Sequence, residues 1–537
     1  MTRYVSADAA KAAVHAGGEI AFLDLGEAGQ FGEGHPLFAV PCPYGTLEER
    51  VPLLVPRPAT PVLLIDHGDE VAERAARRLE AMGYGDVAIV EGGCAAWAAA
   101  GHTLYKGVNV PSKTLGELAE AIWHPPLATA EEVKGWLAGG EALLFDGRPP
   151  AEYRKMHVPG AVCLPNGELA HRLPAVLPKG GGAPPLVVGC AGRTRGIVGA
   201  IGLMLAGHDG PVYALENGTQ GWALAGETLE RGVASADFPA LGEAERAETR
   251  ARADAFAEKW EIRFVDADAV QAMLGDDSRT TLLFDVRSAE EAAAEPVAAA
   301  AHAPSGQMVQ ASDQYVGVRR ARIVLCDDLG LRACLAAFWL RQLGFEPLVA
   351  RIDARLRGIA PPPGPRPLPI PATPRVAPAQ ALAELQAGAA SLLDLRASQA
   401  YRAGHVEAAE WATRARLAPV LETLAGDGRL LLVADDAAVL DGVLLDLDEA
   451  VRQGSHGRAA AVVEGGHEGL VAAGAPVRAS PDTPDDAAAI DFLSFVHDRH
   501  DGNLEASRRY LAWETGLVAQ LDEAERAEFR LTPKPGS

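Results

Sequence analysis

The chain has 537 residues, too many for one hydrophobic core and enough for about three to five domains of ordinary size. Its 49 Lys and Arg against 72 Asp and Glu leave a net charge of -23, which argues against nucleic acid or an anionic membrane as a partner. No apolar stretch approaches bilayer-spanning length and the opening Met1 to Asp8 lacks the apolar run of a secretory leader, so the cytoplasm is the expected compartment.

In chain order, the first strong signal is an apolar strand ending in aspartate, Ala21 to Asp24. It recurs as Leu143 to Asp146, Leu282 to Asp285 and Leu392 to Asp394, and in these three an arginine follows two residues on: Arg148, Arg287 and Arg396. A polar segment comes next, clearest as Glu152 to Ala161 with His157 inside it, and echoed by Tyr401 to Ala408. A second apolar strand follows in every copy: Val62 to Ile65, Leu186 to Val188, Ile323 to Leu325 and Leu430 to Val433. The copies close on a Glu-Gly or Glu-Asn-Gly turn before a short helix, as Val90 to Trp97, Leu215 to Trp222 and Val463 to Leu470, with a degenerate version around Arg351 to Gly358.

Strands alternating with helical stretches over about a hundred residues per copy predict an α/β fold of four tandem units, each a mainly parallel sheet flanked by helices. In such a sheet the ligand crevice lies beyond the carboxyl ends of the strands. The expected domains are 1–107, 125–230, 262–358 and 376–478, followed by a helical tail over 487–537. Leu241 to Phe256 reads as a charged surface helix, and residues 361–378, dense in proline, read as an extended spacer. Phe492, Phe495, Tyr510 and Trp513 recur at roughly helical intervals, which predicts that the tail packs on a domain.

The six cysteines (Cys42, Cys94, Cys163, Cys190, Cys326 and Cys334) form no Cys-x-x-Cys pair, which speaks against a zinc site or a disulfide framework. No metal or cofactor is expected. Cys190 stands apart because it lies between the strand ending at Gly189 and a helical pattern through Ile197, Ala200, Ile201, Met204 and Leu205. A helix start and the guanidinium groups of Arg193 and Arg195 favour an anion there, so a reactive thiol of lowered pKa is expected. Gly192 permits tight curvature of the loop. For Arg193 and Arg195 the competing reading is a salt bridge. Asp146 and Arg148, at the end of the first strand, read as an ion pair or cap fixing the loop, and His157 as part of a turn into the next strand.

Taken together, Asp-x-Arg, Glu-Tyr near His-Val-Pro-Gly-Ala, a strand-borne cysteine opening a loop and helix, and Glu-Asn-Gly-x-x-Gly-Trp make this chain resemble the rhodanese family of sulfurtransferases over almost its whole length. Aligned on Gly83, Gly207 and Gly344, Cys190 matches Asp66 in the first copy and Asp327 in the third, while the fourth runs into Ala434, Asp435 and Asp436. The second copy is therefore expected to be catalytic, the first and fourth inactive, and the third degenerate, with Cys326 one residue early beside two aspartates.

The resemblance implies double displacement: the Cys190 thiolate takes the outer sulfur of a thiosulfate-like donor, sulfite leaves, and the persulfide passes to a thiol or cyanide. Arg193 and Arg195 would hold the donor's sulfonate, and the backbone of Ala191, Gly192, Arg193, Thr194, Arg195 and Gly196 would cradle the terminal sulfur. A carrier that hands its persulfide to a specific protein partner is the alternative. A rhodanese-like phosphatase or arsenate reductase fits less well, because four residues rather than five separate Cys190 from its arginine and Gly196 takes the phosphatase arginine position.

Overall fold

The computed structural model describes residues 3–178, 183–424, 428–495 and 497–533. It contains four five-stranded parallel sheets with one topology: in each, the first strand of the copy lies at an edge, followed by the fifth, fourth, second and third. In the second copy these strands are Leu127–Ala128, Val212–Leu215, Leu186–Gly189, Leu143–Asp146 and Val162–Cys163. The central strands are apolar throughout because helices cover both faces; Leu186, Val187 and Val188 are completely buried. Each such side chain contributes about 1.5–3 kcal/mol by leaving water.

The aspartate ending the second strand of a copy is fastened identically in three of them. Asp146 accepts the Arg148 backbone N–H at 3.1 Å and side-chain bonds at 2.9 and 2.6 Å, while Arg148 also donates to the Met156 carbonyl at 2.6 Å. Asp285 with Arg287 and Asp394 with Arg396 repeat the arrangement, the last step reaching the Glu295 and Gly404 carbonyls. The clamp ties the strand end to the segment eight residues beyond the arginine, which explains the recurring Asp-x-Arg.

The copies do not group in chain order. One compact unit holds Met1–Ala13, Ala21–Val108 and Gly364–Phe495, combining the first and fourth sheets; the other holds Val14–Ile20, Asn109–Pro363 and Val496–Ser537, combining the second and third. Each unit has a buried arginine joining its two copies. Arg414 of the fourth copy pairs with Glu48 of the first at 2.6 Å and with Asp446 at 3.0 Å. Arg332 of the third pairs with Glu168 of the second at 2.7 Å and with Asp327 at 2.9 Å.

Two sequence expectations gain detail. The helix Glu243–Trp260 is a charged surface helix whose other face packs within the second unit: Thr249, Ala253, Phe256, Ala257 and Trp260 are buried, while most of its charged residues are exposed. The tail is divided: the Ile490 carbonyl accepts from Gly29 within the first unit, whereas the helix Leu504–Thr515 belongs to the second. Residues 534–537 of the expected tail, like Met1 and Thr2, lie outside the described residues. Among the described residues no helix is long and apolar enough to cross a membrane.

Candidate functional site

Strand register gives an alignment of the four copies that is independent of sequence spacing. The aspartate that ends the second strand lies beside Gly189 in the second copy, Ile65 in the first, Cys326 in the third and Val433 in the fourth. The next residue is the first beyond that register: Cys190, Asp66, Asp327 and Ala434. Cys326 is inside the strand Arg322–Asp327, fully buried, with its thiol pushed well above the ordinary range by burial and by Asp285. Asp327, the last residue of that strand, takes the position equivalent to Cys190, where Arg332 holds it at 2.9 Å.

Cys190 leaves its strand and reaches the helix Thr194–Leu205 through Ala191, Gly192 and Arg193. The loop carbonyls are tied down from the helix Gly218–Leu224: the Thr219 N–H donates to Cys190 O at 2.8 Å and the Gln220 N–H to Ala191 O at 3.1 Å. This docking requires glycine at 218. Its φ is +56°, and a Cβ there would lie 2.2 Å from Cys190 O and 2.7 Å from Gly192 O. The Glu-Asn-Gly signature is therefore a backbone device that presses a helix against the cysteine loop. On the other side of the sulfur, the Gly196 N–H near the start of Thr194–Leu205 favours the Cys190 thiolate.

The electrostatics differ from the expected cationic pocket. Arg195 forms a two-pronged pair with Glu152, both bonds at 2.7 Å. Arg193 pairs with Glu117 at 2.8 Å and with Glu120. The salt-bridge reading thus describes both arginines in this structure. Cys190 is 3% exposed. Its burial raises the thiol pKa above the ordinary value; Arg195 and the Gly196 N–H pull it down, and Glu514 pushes it up. The acidified thiol read from the sequence is thus offset by desolvation and a carboxylate from the tail.

The tail contribution carried no motif. Glu514 Oε1 accepts from the Thr194 hydroxyl at 2.6 Å and from its N–H at 3.4 Å. A Cβ on Gly192 would meet Glu514 Oε2 at 2.9 Å and the Tyr510 ring at 3.0 Å, so the helix Leu504–Thr515 lies directly on the loop. Lys113, from the helix Val110–Trp123, donates to the Tyr510 hydroxyl at 2.6 Å and lies 4.0 Å from Glu514. Burial opposes its charge, but Tyr510 and Glu514 hold the ammonium above its ordinary pKa. Glu514 Oε2 and both amide atoms of Gln220 are buried without a hydrogen-bond partner. Buried polar atoms are nearly always paired, so this cluster beside Gly192 is suited to a small polar ligand.

The supporting residues lie farther back. Asp146 and Arg148 form the clamp already described. His157 is buried, stacks on Tyr153 with centroids 3.7 Å apart, and bonds the Tyr153 carbonyl at 3.0 Å and Glu230 at 3.0 Å.

A family model for the rhodanese-like domain matches residues 6–100 and 129–225. Among solved structures, the thiosulfate sulfurtransferase from Pseudomonas aeruginosa is 34% identical over 99% of both chains, with a TM-score of 0.88. The Alr3790 protein from Anabaena is 25% identical over 20% of this chain and 86% of its own, at a TM-score of 0.19. Wild-type EanB is 16% identical over 69% of this chain and 99% of its own, at a TM-score of 0.24. No curated protein matches the sequence. Repeated sheet topology, the cysteine loop pressed by its Glu-Asn-Gly helix, and a whole-length relative at 34% identity together show that this chain belongs to the rhodanese family.

Proposed function

We propose that the chain is a rhodanese-type sulfurtransferase whose second copy carries sulfane sulfur on Cys190, the thiosulfate sulfurtransferase from Pseudomonas aeruginosa being its whole-length relative. The observation that carries this reading is the register: of the four equivalent positions that follow the strand, only the second copy has a thiol, and it opens the loop into the helix Thr194–Leu205. In the first half-reaction the Cys190 thiolate attacks the outer sulfur of thiosulfate. A new sulfur–sulfur bond forms, the bond to the sulfonate sulfur breaks, and sulfite leaves with the electron pair. In the second, a thiol or cyanide attacks the outer persulfide sulfur and restores the Cys190 thiolate.

The Gly196 N–H stabilises negative sulfur in both states, and Arg195 adds a cationic field from its pair with Glu152. Gln220 and Glu514 supply unpaired polar atoms beside the loop, the amide suited to a donor's oxygen and the carboxylate to a proton on an incoming thiol. Burial under Leu504–Thr515 favours small donors and acceptors; handing sulfur to a protein thiol requires displacement of that helix.

Thiosulfate–cyanide turnover by the intact protein and by Cys190→Ser tests the reading. Turnover lost only in the variant is the expected result. A variant that retains the rate contradicts the assignment, and slow turnover with rapid transfer to a protein thiol favours the carrier role.

A further inference from the structure

The first copy lacks a thiol at the loop position, yet its crevice is chemically equipped. Asp24 corresponds to Asp146, Asp285 and Asp394, but the residue two positions on is Gly26 instead of arginine. The side chain that takes the guanidinium's place is His67, whose Nε2 lies 2.9 and 3.2 Å from the two Asp24 oxygens. A Cβ on Gly26 would be 2.5 Å from the imidazole ring, so losing the arginine side chain is what admits the histidine. Cys94 completes the group, its Sγ 3.7 Å from the same Nε2. It occupies the position of Thr219 in the Glu-Gly-Gly turn, and its N–H donates to Asp66 O as that of Thr219 does to Cys190 O. His67 and Cys94 line a cavity of about 650 Å³ within the first unit, and Asp24 lies behind them, fully buried.

We propose that Asp24, His67 and Cys94 bind a zinc-class divalent metal ion, with its fourth coordination position open to this cavity. The three donor atoms lie within 4.8 Å of one another. Metal–sulfur bonds of about 2.3 Å and metal–nitrogen or metal–oxygen bonds of about 2.0–2.2 Å in a tetrahedron place neighbouring ligand atoms about 3.4–3.6 Å apart. The sulfur–nitrogen separation of 3.7 Å already matches, and the nitrogen–oxygen separation of 2.9 Å needs only to relax from a hydrogen bond. Binding releases the Cys94 proton and moves the imidazole proton to Nδ1; thiolate and carboxylate then balance the charge of the dication. Mixed sulfur, nitrogen and oxygen donors with one open position suit zinc or cobalt and not calcium or magnesium. A second cluster, His171, Asp327 and Asp328, has comparable residues, but Arg332 already occupies it, bonding Asp327 at 2.9 Å and Asp328 at 2.8 Å. Among the described residues, no arginine or lysine bonds Asp24, His67 or Cys94, whose side chains bond one another.

Cobalt(II) titration of the reduced, chelator-stripped full-length protein tests the site. One equivalent should bind and give a thiolate-to-cobalt charge-transfer band. Cys94→Ser should abolish the band, His67→Gln should weaken binding more than about tenfold, and Cys190→Ser should leave both unchanged. Absence of a thiolate band in the wild type overturns the proposal, as does a band that survives Cys94→Ser or disappears in Cys190→Ser. If circular dichroism shows Cys94→Ser unfolded, His67→Gln decides alone, and unchanged affinity in that variant overturns the site. Because Cys190 is absent from this set, failure here leaves the sulfur-transfer reading intact.

Discussion

Substituting Gly218 by alanine isolates what the helix Gly218–Leu224 does for the cysteine loop. At φ +56°, a Cβ costs about 1–2 kcal/mol in backbone strain alone. It would also sit 2.2 Å from Cys190 O, so helix and loop must separate by about 0.8 Å to reach 3.0 Å, the closest approach real Cβ atoms make. Overlap of this kind adds about 1–3 kcal/mol. The loop carrying the sulfur has to absorb the movement, and a misplacement of about 1 Å at a reacting atom costs about a hundredfold in rate. Gly93→Ala is the matched control: φ is +57° and the added Cβ would lie 2.4 Å from Asp66 O, but the loop it presses has no thiol. Both variants should lower the melting temperature similarly, while thiosulfate–cyanide kcat/KM should fall about a hundredfold in Gly218→Ala and stay within about twofold of wild type in Gly93→Ala. A Gly218→Ala enzyme of near-normal activity, or an equal loss in Gly93→Ala, refutes the argument that this helix positions the catalytic loop.

Burial and Glu514 hold the Cys190 thiol above its ordinary pKa, so single-turnover persulfide formation should still rise with pH above 8.5, about where a free thiol titrates, and Glu514→Gln should shift the profile to lower pH. Burial works against ionisation of Glu152, but Arg195 holds its carboxyl down at about 2 from 4.5. A depressed carboxyl stabilises the fold fully above its unfolded pKa, and that contribution disappears as pH falls through the folded value; Glu152→Gln should therefore flatten the loss of melting temperature between about pH 4.5 and 2. Arg332→Ala strands Asp327 as a buried charge, Glu168 keeping Arg172 at 2.6 Å, and should cost about 3–5 kcal/mol, read by denaturant unfolding. Tyr510→Ala should speed iodoacetamide alkylation of Cys190, since that ring lies against Gly192; an unchanged rate would mean that the tail does not limit access.

The repeat was legible because its punctuation has a physical cause. Asp-x-Arg marks a buried clamp, and the closing glycine marks a backbone approach that any side chain would block. The cysteine loop was legible for the same reason: a strand must stop and a helix begin around it. Its electrostatics were not. Glu514 lies 320 residues from its partner Thr194, and Lys113 and Glu117 come from the helix Val110–Trp123, which has no counterpart among the repeated motifs. Local sequence thus showed two arginines near a thiol but not the carboxylates that engage them. Pairing of the first copy with the fourth was hidden because it rests on partners distant in the chain, such as Arg414 and Glu48. In Glu243–Trp260 the buried positions 249, 253, 256, 257 and 260 keep helical spacing, but the charges between them masked the stripe. The Asp24, His67 and Cys94 group has no metal-ligand spacing along the chain, because the fold brings these three together from separate turns.

Mass spectrometry of the intact, reduced protein after exposure to thiosulfate, followed by peptide mapping, addresses sulfur transfer most directly. One added sulfur atom, located on the peptide containing Cys190 and absent from Cys190→Ser, is the predicted result. No added sulfur in the wild type, or sulfur found on another cysteine and retained in Cys190→Ser, contradicts the assignment.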